Sequence, residues 1–492
     1  MKDTADAYAQ LLDFQRTTEA LAAVAGRTGW DQETTMPPGA APQRAEELGA
    51  LEHVLHARRT DPRVGDWLER AGPGDAVQAA TLREIRRSYD RHRKVPADLA
   101  AEIARVTSRA QGRWAAARAA DDAAAFVPVL AEVVALRRRE AEALANGGDP
   151  YDALVQDYEP GGSGAAMAAM FDALRPRLVA LRAAALDAAP APRLSGHFPK
   201  ADQLRLATEI ATRFGYDLEH GRLDLAVHPF SSGSGLDVRI TTRVDEADPF
   251  NCIYSTIHEA GHACYEQGVD RDYLLTPLGR GVSMGVHESQ SRAYENQIGR
   301  SEAFCGWLYG RMRDTFGDIG VADEWSFYRA ANAVRSGYIR TEADELHYNL
   351  HVMLRFDLER ALIRGELGAA EVEAAWNERF RQDFGVAVDA PSNGFLQDVH
   401  WSVGLMGYFP TYTLGNLYAG CLFAALRRDL PDLDLDLARG DPSPATEWLR
   451  ARLQRHGALR PPVETISHAA GATPSAEPLL DYLGSKFDAL AR

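Results

Sequence analysis

The chain has 492 residues, 46% of them hydrophobic and 25% charged, which is the ordinary composition of a soluble globular protein with ample length for a large core. Its 54 basic and 70 acidic residues leave a formal net charge of −16; a nucleic-acid binder needs a basic footprint, so no nucleic-acid partner is expected. There is no run near the ~18 apolar residues of a membrane span, no secretory-signal pattern at the amino terminus, and no CxxC spacing among Cys252, Cys264, Cys305 and Cys421; the expectation is a cytoplasmic protein with reduced thiols and no membrane partner.

Residues 1–190 are rich in Ala, Leu, Arg and Glu and read as a helical N-terminal region. MPPGAAP (36–42), AGPGD (71–75), KVP (94–96), GGDP (147–150) and EPGGSG (159–164) punctuate it. The pattern from about Ala97 to Ala145 is too long for one ordinary helix and suggests two, or a coiled-coil-like hairpin. APAPRLSGHFP (189–199) reads as a linker. Residues 191–492 read as a second region, expected to carry the chemistry, and the two regions are expected to make one integrated domain. Leu223 to Val244 alternates, is β-branched and is interrupted by SSGSG, which predicts a small β hairpin with a long turn. From Asp248 onward the pattern is helical again, with breaks near 276–279, 317–320, 389–394 and 442–444.

One motif dominates the chemistry: His258-Glu259-Ala260-Gly261-His262. Histidines at i and i+4 project from one helix face and can present two imidazole nitrogens to one Zn²⁺, with the intervening Glu as base for an activated water. Asp248 and Pro249 make a good N-cap and first-turn pair, so the helix should start there. A hydrolytic zinc site needs a third protein ligand and an open position. Glu288, 26 residues after His262, is the candidate: Ser283 can cap a second helix running to about Gly299 that carries Glu288 near its start. The metzincin extension is absent, since Tyr265 and Gly268 stand at its Gly and third-His positions. His347 and His351 are also i and i+4, but Tyr348 follows His347 and no built-in base exists. His228 and His400 are single histidines, and a lone histidine is more often structural than catalytic.

The sequence resembles the M32 metallocarboxypeptidases typified by thermostable carboxypeptidase Taq. HPF (228–230), Asp237-Val-Arg239-Ile-Thr241, HEAGH (258–262), HESQ (287–290), Ile339-Arg340-Thr-Glu-Ala343-Asp344 and Gly394-Phe-Leu-Gln397-Asp398-Val-His400-Trp401 match in order. Trp30 to Pro37 and Tyr408 to Asn416 match as well, so the resemblance spans essentially the whole chain. It implies a mostly α, saddle-like zincin-type fold with a deep groove and a small β-sheet near the active site. It also implies Zn²⁺ or Co²⁺ on His258, His262 and Glu288, with Glu259 as catalytic acid/base. Broad C-terminal trimming that excludes proline, and a homodimer, follow from it too.

Such an enzyme must bind peptides with a free C-terminus, and Arg recognises a carboxylate through bidentate hydrogen bonds. Arg340 is the first candidate and Arg239 the second; the competing reading of each is an internal salt bridge, with Asp344 or Asp237. His228 and His400 are further substrate-binding candidates. Tyr412 is the candidate donor to the tetrahedral oxyanion, ahead of Tyr408 and His400. The strand around Asp237 to Thr241 is a candidate for pairing with an extended peptide. Two other functions compete: another HExxH peptidase, either an endopeptidase or a dipeptidyl carboxypeptidase, and a non-catalytic helical peptide-binding protein with a structural metal.

Overall fold

Short polar side chains fix the starts of many helices. Asp61, Asp122, Asp149, Asp248, Ser283, Ser301, Asp323 and Asp344 each accept a backbone N–H from the first turn of the helix that follows. Pro62, Pro150 and Pro249 occupy the first helical position, where the missing N–H costs nothing. The computed structural model describes residues 2–491, and helices account for most of them. Among the described residues, no helix is long and apolar enough to cross a membrane. All four cysteines are buried and unbridged.

The chain divides into two compact units, and each takes segments from both sides of residue 190. The first comprises the described residues through Arg93, then Pro192–Asn332 and Cys421–Pro474. The second comprises Lys94–Ala191, Ala333–Gly420 and the described residues from Ser475.

In the first unit the Pro249–Gly268 helix is central, packed against the Lys200–Arg213 helix, the Met284–Arg292 helix and the sheet. A satellite core of Leu11, Val64, Leu68, Ile85 and Tyr89 joins three helices, Lys2–Thr34, Pro62–Arg70 and Ala76–Lys94. The sheet has three strands, β1 (Leu223–Leu225), β2 (Ser231–Ser234) and β3 (Asp237–Thr242), in the order β1-β3-β2. β1 runs parallel to β3 (Leu223 opposite Ile240) and β2 antiparallel to it (Ser234 opposite Asp237).

The expected hairpin exists, but its turn is short. Only Gly235 and Leu236 separate the paired Ser234 and Asp237, and Gly235 takes a φ of +63°, as the first position of a tight hairpin turn favours. SSGS is itself a strand rather than the turn. The same topology overturns peptide pairing along Asp237 to Thr241: β3 lies between two neighbours and offers no free edge.

In the second unit the long pattern from Ala97 resolves into two helices packed on each other, Ala97–Ala119 and Ala123–Ala145. The Glu345–Arg364 helix is buried along almost its whole length, against the Gly164–Asp187, Ala123–Ala145 and Val372–Phe384 helices. It carries Glu359, fully buried, whose carboxylate accepts from Tyr151 Oη and Trp401 Nε1 at 2.9 Å and from the Gly407 N–H at 3.1 Å. The break expected near 389–394 is wider than that, running from the end of one helix at Phe384 to the start of the next at Pro410. That stretch is irregular apart from one turn at Pro391–Asn393, and it contains Gln397, Asp398, His400 and Trp401. Loops on a rigid scaffold are where functional groups concentrate.

Candidate metal centre

The Pro249–Gly268 helix starts where the Asp248-Pro249 pair places it, and the Asp248 carboxylate accepts from the Phe250 N–H at 3.1 Å. His258 and His262 stand one turn apart on it, with ring centroids 5.0 Å apart. Ser283 caps the Met284–Arg292 helix through the Val286 N–H at 3.1 Å. The third group comes from this helix: Glu288 Oε2 lies 3.8 Å from His258 Nε2 and 3.5 Å from His262 Nε2.

Gly261 makes that approach possible. A Cβ there would sit 2.5 Å from Ser291 Cα and 2.8 Å from both Gln290 O and Ser291 N. The backbones of the two helices therefore touch at Gly261, and a side chain would hold them apart. The glycine inside the motif is a packing requirement of the Glu288 helix.

The three donors suit a cation. One atom from each of His258, His262 and Glu288 lies within 4.8 Å of the other two. Tetrahedral zinc with ligands at about 2.0–2.1 Å places its donors about 3.4 Å apart. The observed 3.5 and 3.8 Å separations approach that figure. Two imidazoles and one carboxylate also match the His₂Glu set of hydrolytic zinc sites.

The surroundings set the charge of each donor. Burial alone would raise the Glu288 pKa, but Arg292, His258 and His262 more than offset it and hold the group well below the ordinary carboxylate range. Arg292 Nε donates to Glu288 Oε1 at 2.7 Å. Burial pushes His262 down to about 4, which keeps it neutral with a free lone pair. His258 is also pushed down by burial, but Glu288 and Glu295 raise it above its ordinary value. Burial lifts Glu259 to about 7, opposed by His258 and reinforced by Glu288 and Glu295. A base of that strength is matched to work near neutral pH.

Each imidazole has a second partner that sequence reading did not single out. His258 Nδ1 lies 2.9 Å from Glu295 Oε2, and His262 Nδ1 lies 3.1 Å from His287 Nδ1. Glu295 belongs to a wide helical turn, Ala293–Ile298, that continues the Met284–Arg292 helix. Wide turns of this kind occur often at functional sites. Glu288, Arg292 and Glu295 are spaced i, i+4, i+7, a one-face pattern that the sequence displays.

The other expected residues lie elsewhere. Arg239, on β3, forms a bidentate pair with Asp237 at 2.7 and 3.0 Å, and its guanidinium lies 4.7 Å over the buried Trp30 ring. His228 is exposed in the loop between β1 and β2. Arg340, His400 and Tyr412 come together in the second unit. Arg340 Nε and Nη2 donate to Asp398 Oδ1 at 3.1 and 2.9 Å, and Nη1 donates to Tyr348 Oη at 3.2 Å. The partner is thus Asp398, not the expected Asp344, which caps the Glu345–Arg364 helix and lies 2.8 Å from His347 Nδ1. Arg355 Nε donates to the other Asp398 oxygen at 2.6 Å. His400 Nε2 lies 3.3 Å from Tyr412 Oη, and burial pushes the His400 pKa down to about 3. His351 packs against Phe384, with ring centroids 4.5 Å apart, and burial holds its pKa well below the ordinary value.

A profile of the carboxypeptidase Taq (M32) metallopeptidases matches residues 10–487. The chain belongs to the M32 family of metallocarboxypeptidases. It is 43% identical to thermostable carboxypeptidase 1 of Thermus thermophilus, across 98% of this chain and 99% of the relative. Carboxypeptidase 1 of Bacillus subtilis is 34% identical, over 94% of each chain. Among solved structures, the M32 carboxypeptidase of Deinococcus radiodurans R1 superposes with a TM-score of 0.95 at 38% identity, covering 99% of both chains. Metallocarboxypeptidase 1 of Trypanosoma cruzi gives 0.94 at 32% identity, over 98% of this chain. The M32 chain described here is accordingly a peptide hydrolase, its fold mostly helical with a small sheet, and its family chemistry depends on a divalent metal.

Proposed function

We propose that this M32 peptidase removes single residues from the free C-terminus of peptides, with broad preference and no cleavage next to proline. His258, His262 and Glu288 hold the metal, Zn²⁺ or alternatively Co²⁺, and Glu259 is the acid/base. The observation that carries the reading is the convergence of those three donors around one point, with Glu259 buried on the same helix. A divalent cation held there supplies Lewis acidity and activates water at neutral pH. Glu259 accepts the proton as water attacks the scissile carbonyl and passes it to the leaving amine. Tyr412 donates to the oxyanion. Arg340 recognises the terminal carboxylate, with Arg239 as second candidate and His228 and His400 as further peptide contacts. Three of the five Arg340 N–H groups already serve Asp398 and Tyr348, which leaves two for a ligand. A cytoplasmic homodimer completes the reading, and sedimentation velocity measures the assembly state.

A peptide ladder read by mass spectrometry, with metal analysis of the same sample, is the test. N-blocked peptides with a free acid should lose one residue at a time and stop before proline, while their amides stay intact. Dipeptide release, or internal cuts in the amides, would favour another HExxH peptidase. Binding without turnover would favour a scaffold.

A further inference from the structure

Beyond the donors themselves, a row of three side chains ends on His262. His262 Nε2 faces Glu288, and its other nitrogen, Nδ1, lies 3.1 Å from His287 Nδ1. His287 Nε2 in turn lies 2.6 Å from Glu266 Oε1. Two ring nitrogens that face each other need one hydrogen between them, and the carboxylate decides which ring supplies it. Glu266 accepts only, so His287 Nε2 carries its ring hydrogen. With its ring hydrogen on Nε2, His287 offers a lone pair at Nδ1. His262 must donate from Nδ1, which leaves the Nε2 lone pair bare and directed at the cation position.

The row is built tightly. Glu266 is 6% exposed, and its Oε1 also accepts from the Gly281 N–H at 2.8 Å. A Cβ on Gly281 would meet His287 Cδ2 at 2.4 Å and Nε2 at 2.5 Å, so the ring lies directly on that backbone. The Tyr265 ring also packs on it, with centroids 4.8 Å apart. Among the described residues, Glu266 Oε2 is buried without a hydrogen-bond partner. An unpaired buried carboxylate oxygen costs stability. Packing alone gives no reason to keep a charge there.

We propose that Glu266, acting through His287, is a positioning residue for the metal: it fixes the tautomer and ring plane of His262. This rests on the reading of His258, His262 and Glu288 as the cation's donors. The two histidines are then held unequally. His258 meets a carboxylate directly, through Glu295, whereas His262 meets one across an intervening imidazole. Removing such an outer partner typically weakens metal binding by about 10–100-fold.

The test measures Zn²⁺ affinity of the full chain by chelator competition, with the visible spectrum of the Co²⁺-loaded protein and thermal unfolding of the metal-free protein alongside. Glu266→Gln and His287→Leu should each weaken Zn²⁺ by about 10–100-fold and alter the Co²⁺ spectrum. Glu266→Gln should add nothing in the His287→Leu background, because the link to His262 is already cut. His287→Asn, whose carboxamide oxygen can take the place of Nδ1 as acceptor, should recover part of the affinity. Wild-type affinity in His287→Leu, or a Glu266→Gln effect of equal size in both backgrounds, overturns the relay. Wild-type affinity in His262→Ala overturns the donor reading itself, and the relay with it. Glu266→Gln is nearly isosteric, so if His287→Leu fails to fold, wild-type Zn²⁺ affinity in Glu266→Gln overturns the relay by itself.

Discussion

Replacing Gly261 by Ala tests how the Glu288 helix is held against the histidine helix. Carbon atoms in contact sit about 3.5–4.0 Å apart, whereas the new methyl would start 2.5 Å from Ser291 Cα. The helices must separate by about 1 Å to reach ordinary contact. The obstructing atoms are backbone, so no rotamer change relieves the clash. Ala gains about 1 kcal/mol of helix propensity over Gly, and overpacking costs about 1–3 kcal/mol; with a rigid receiving surface, a net loss of about 1–2 kcal/mol is expected. The effect on the metal should be larger than the effect on the fold. Ser291 is three residues from Glu288 on one helix, so the carboxylate moves with it. Metal sites tolerate ligand distances only within about 0.2 Å, and the expected result is at least a tenfold loss of Zn²⁺ affinity, about 1.4 kcal/mol. Urea unfolding of the metal-free protein and chelator competition read the two quantities separately. Wild-type stability together with wild-type affinity would show that the two backbones are not in contact at this point.

Glu259→Gln should keep the metal and lose about 10²–10⁴-fold in kcat, measured on a short N-blocked peptide; full turnover with metal bound would remove Glu259 from the mechanism. Burial lifts the Glu359 carboxyl from its ordinary 4.5 to about 7, against the opposing donors Trp401, Gly407 and Tyr151. A raised carboxyl favours the protonated folded state, so its stabilisation is full below about 4.5 and is lost as pH rises through about 7. The urea midpoint of the wild type should therefore fall relative to Glu359→Gln between about pH 5 and about pH 8, and parallel profiles would contradict this. Trp30 is 3% exposed, with the Arg239 and Arg222 guanidinium groups 4.7 and 5.2 Å from its ring. Trp30→Ala should cost about 3–5 kcal/mol in chemical denaturation.

The features legible in the sequence are those encoded locally. The spacing of His258 and His262, the Asp248-Pro249 start and the Ser283 cap all act within one or two helical turns, and the structure shows them there. The function was legible because many short motifs occur together in order. What escaped depends on contacts between distant segments. Nothing within HEAGH tells which backbone lies against Gly261. His287 stands next to Glu288 in the chain, but its partner Glu266 is 21 residues back on another helix. Arg340 finds Asp398, 58 residues away, rather than the nearby Asp344, because the helix start claims Asp344 first. The short hairpin turn was missed because serines and glycines read as loop, although backbone pairing with β3 accepts them as a strand.

The way the chain alternates between its two units bears on how it is made. A ribosome delivers a protein from its amino end, and domains built from one continuous stretch can mature as they emerge. Here neither unit is such a stretch: the first recruits residues as late as Pro474, and the second draws on the segment after it, where Lys486 meets Glu345. Contacts of that sequence separation form slowly, because long loops must close before they are rewarded. Most of the nascent polypeptide must therefore wait in a partly formed state, and a fragment cut at residue 190 would contain the whole of neither unit.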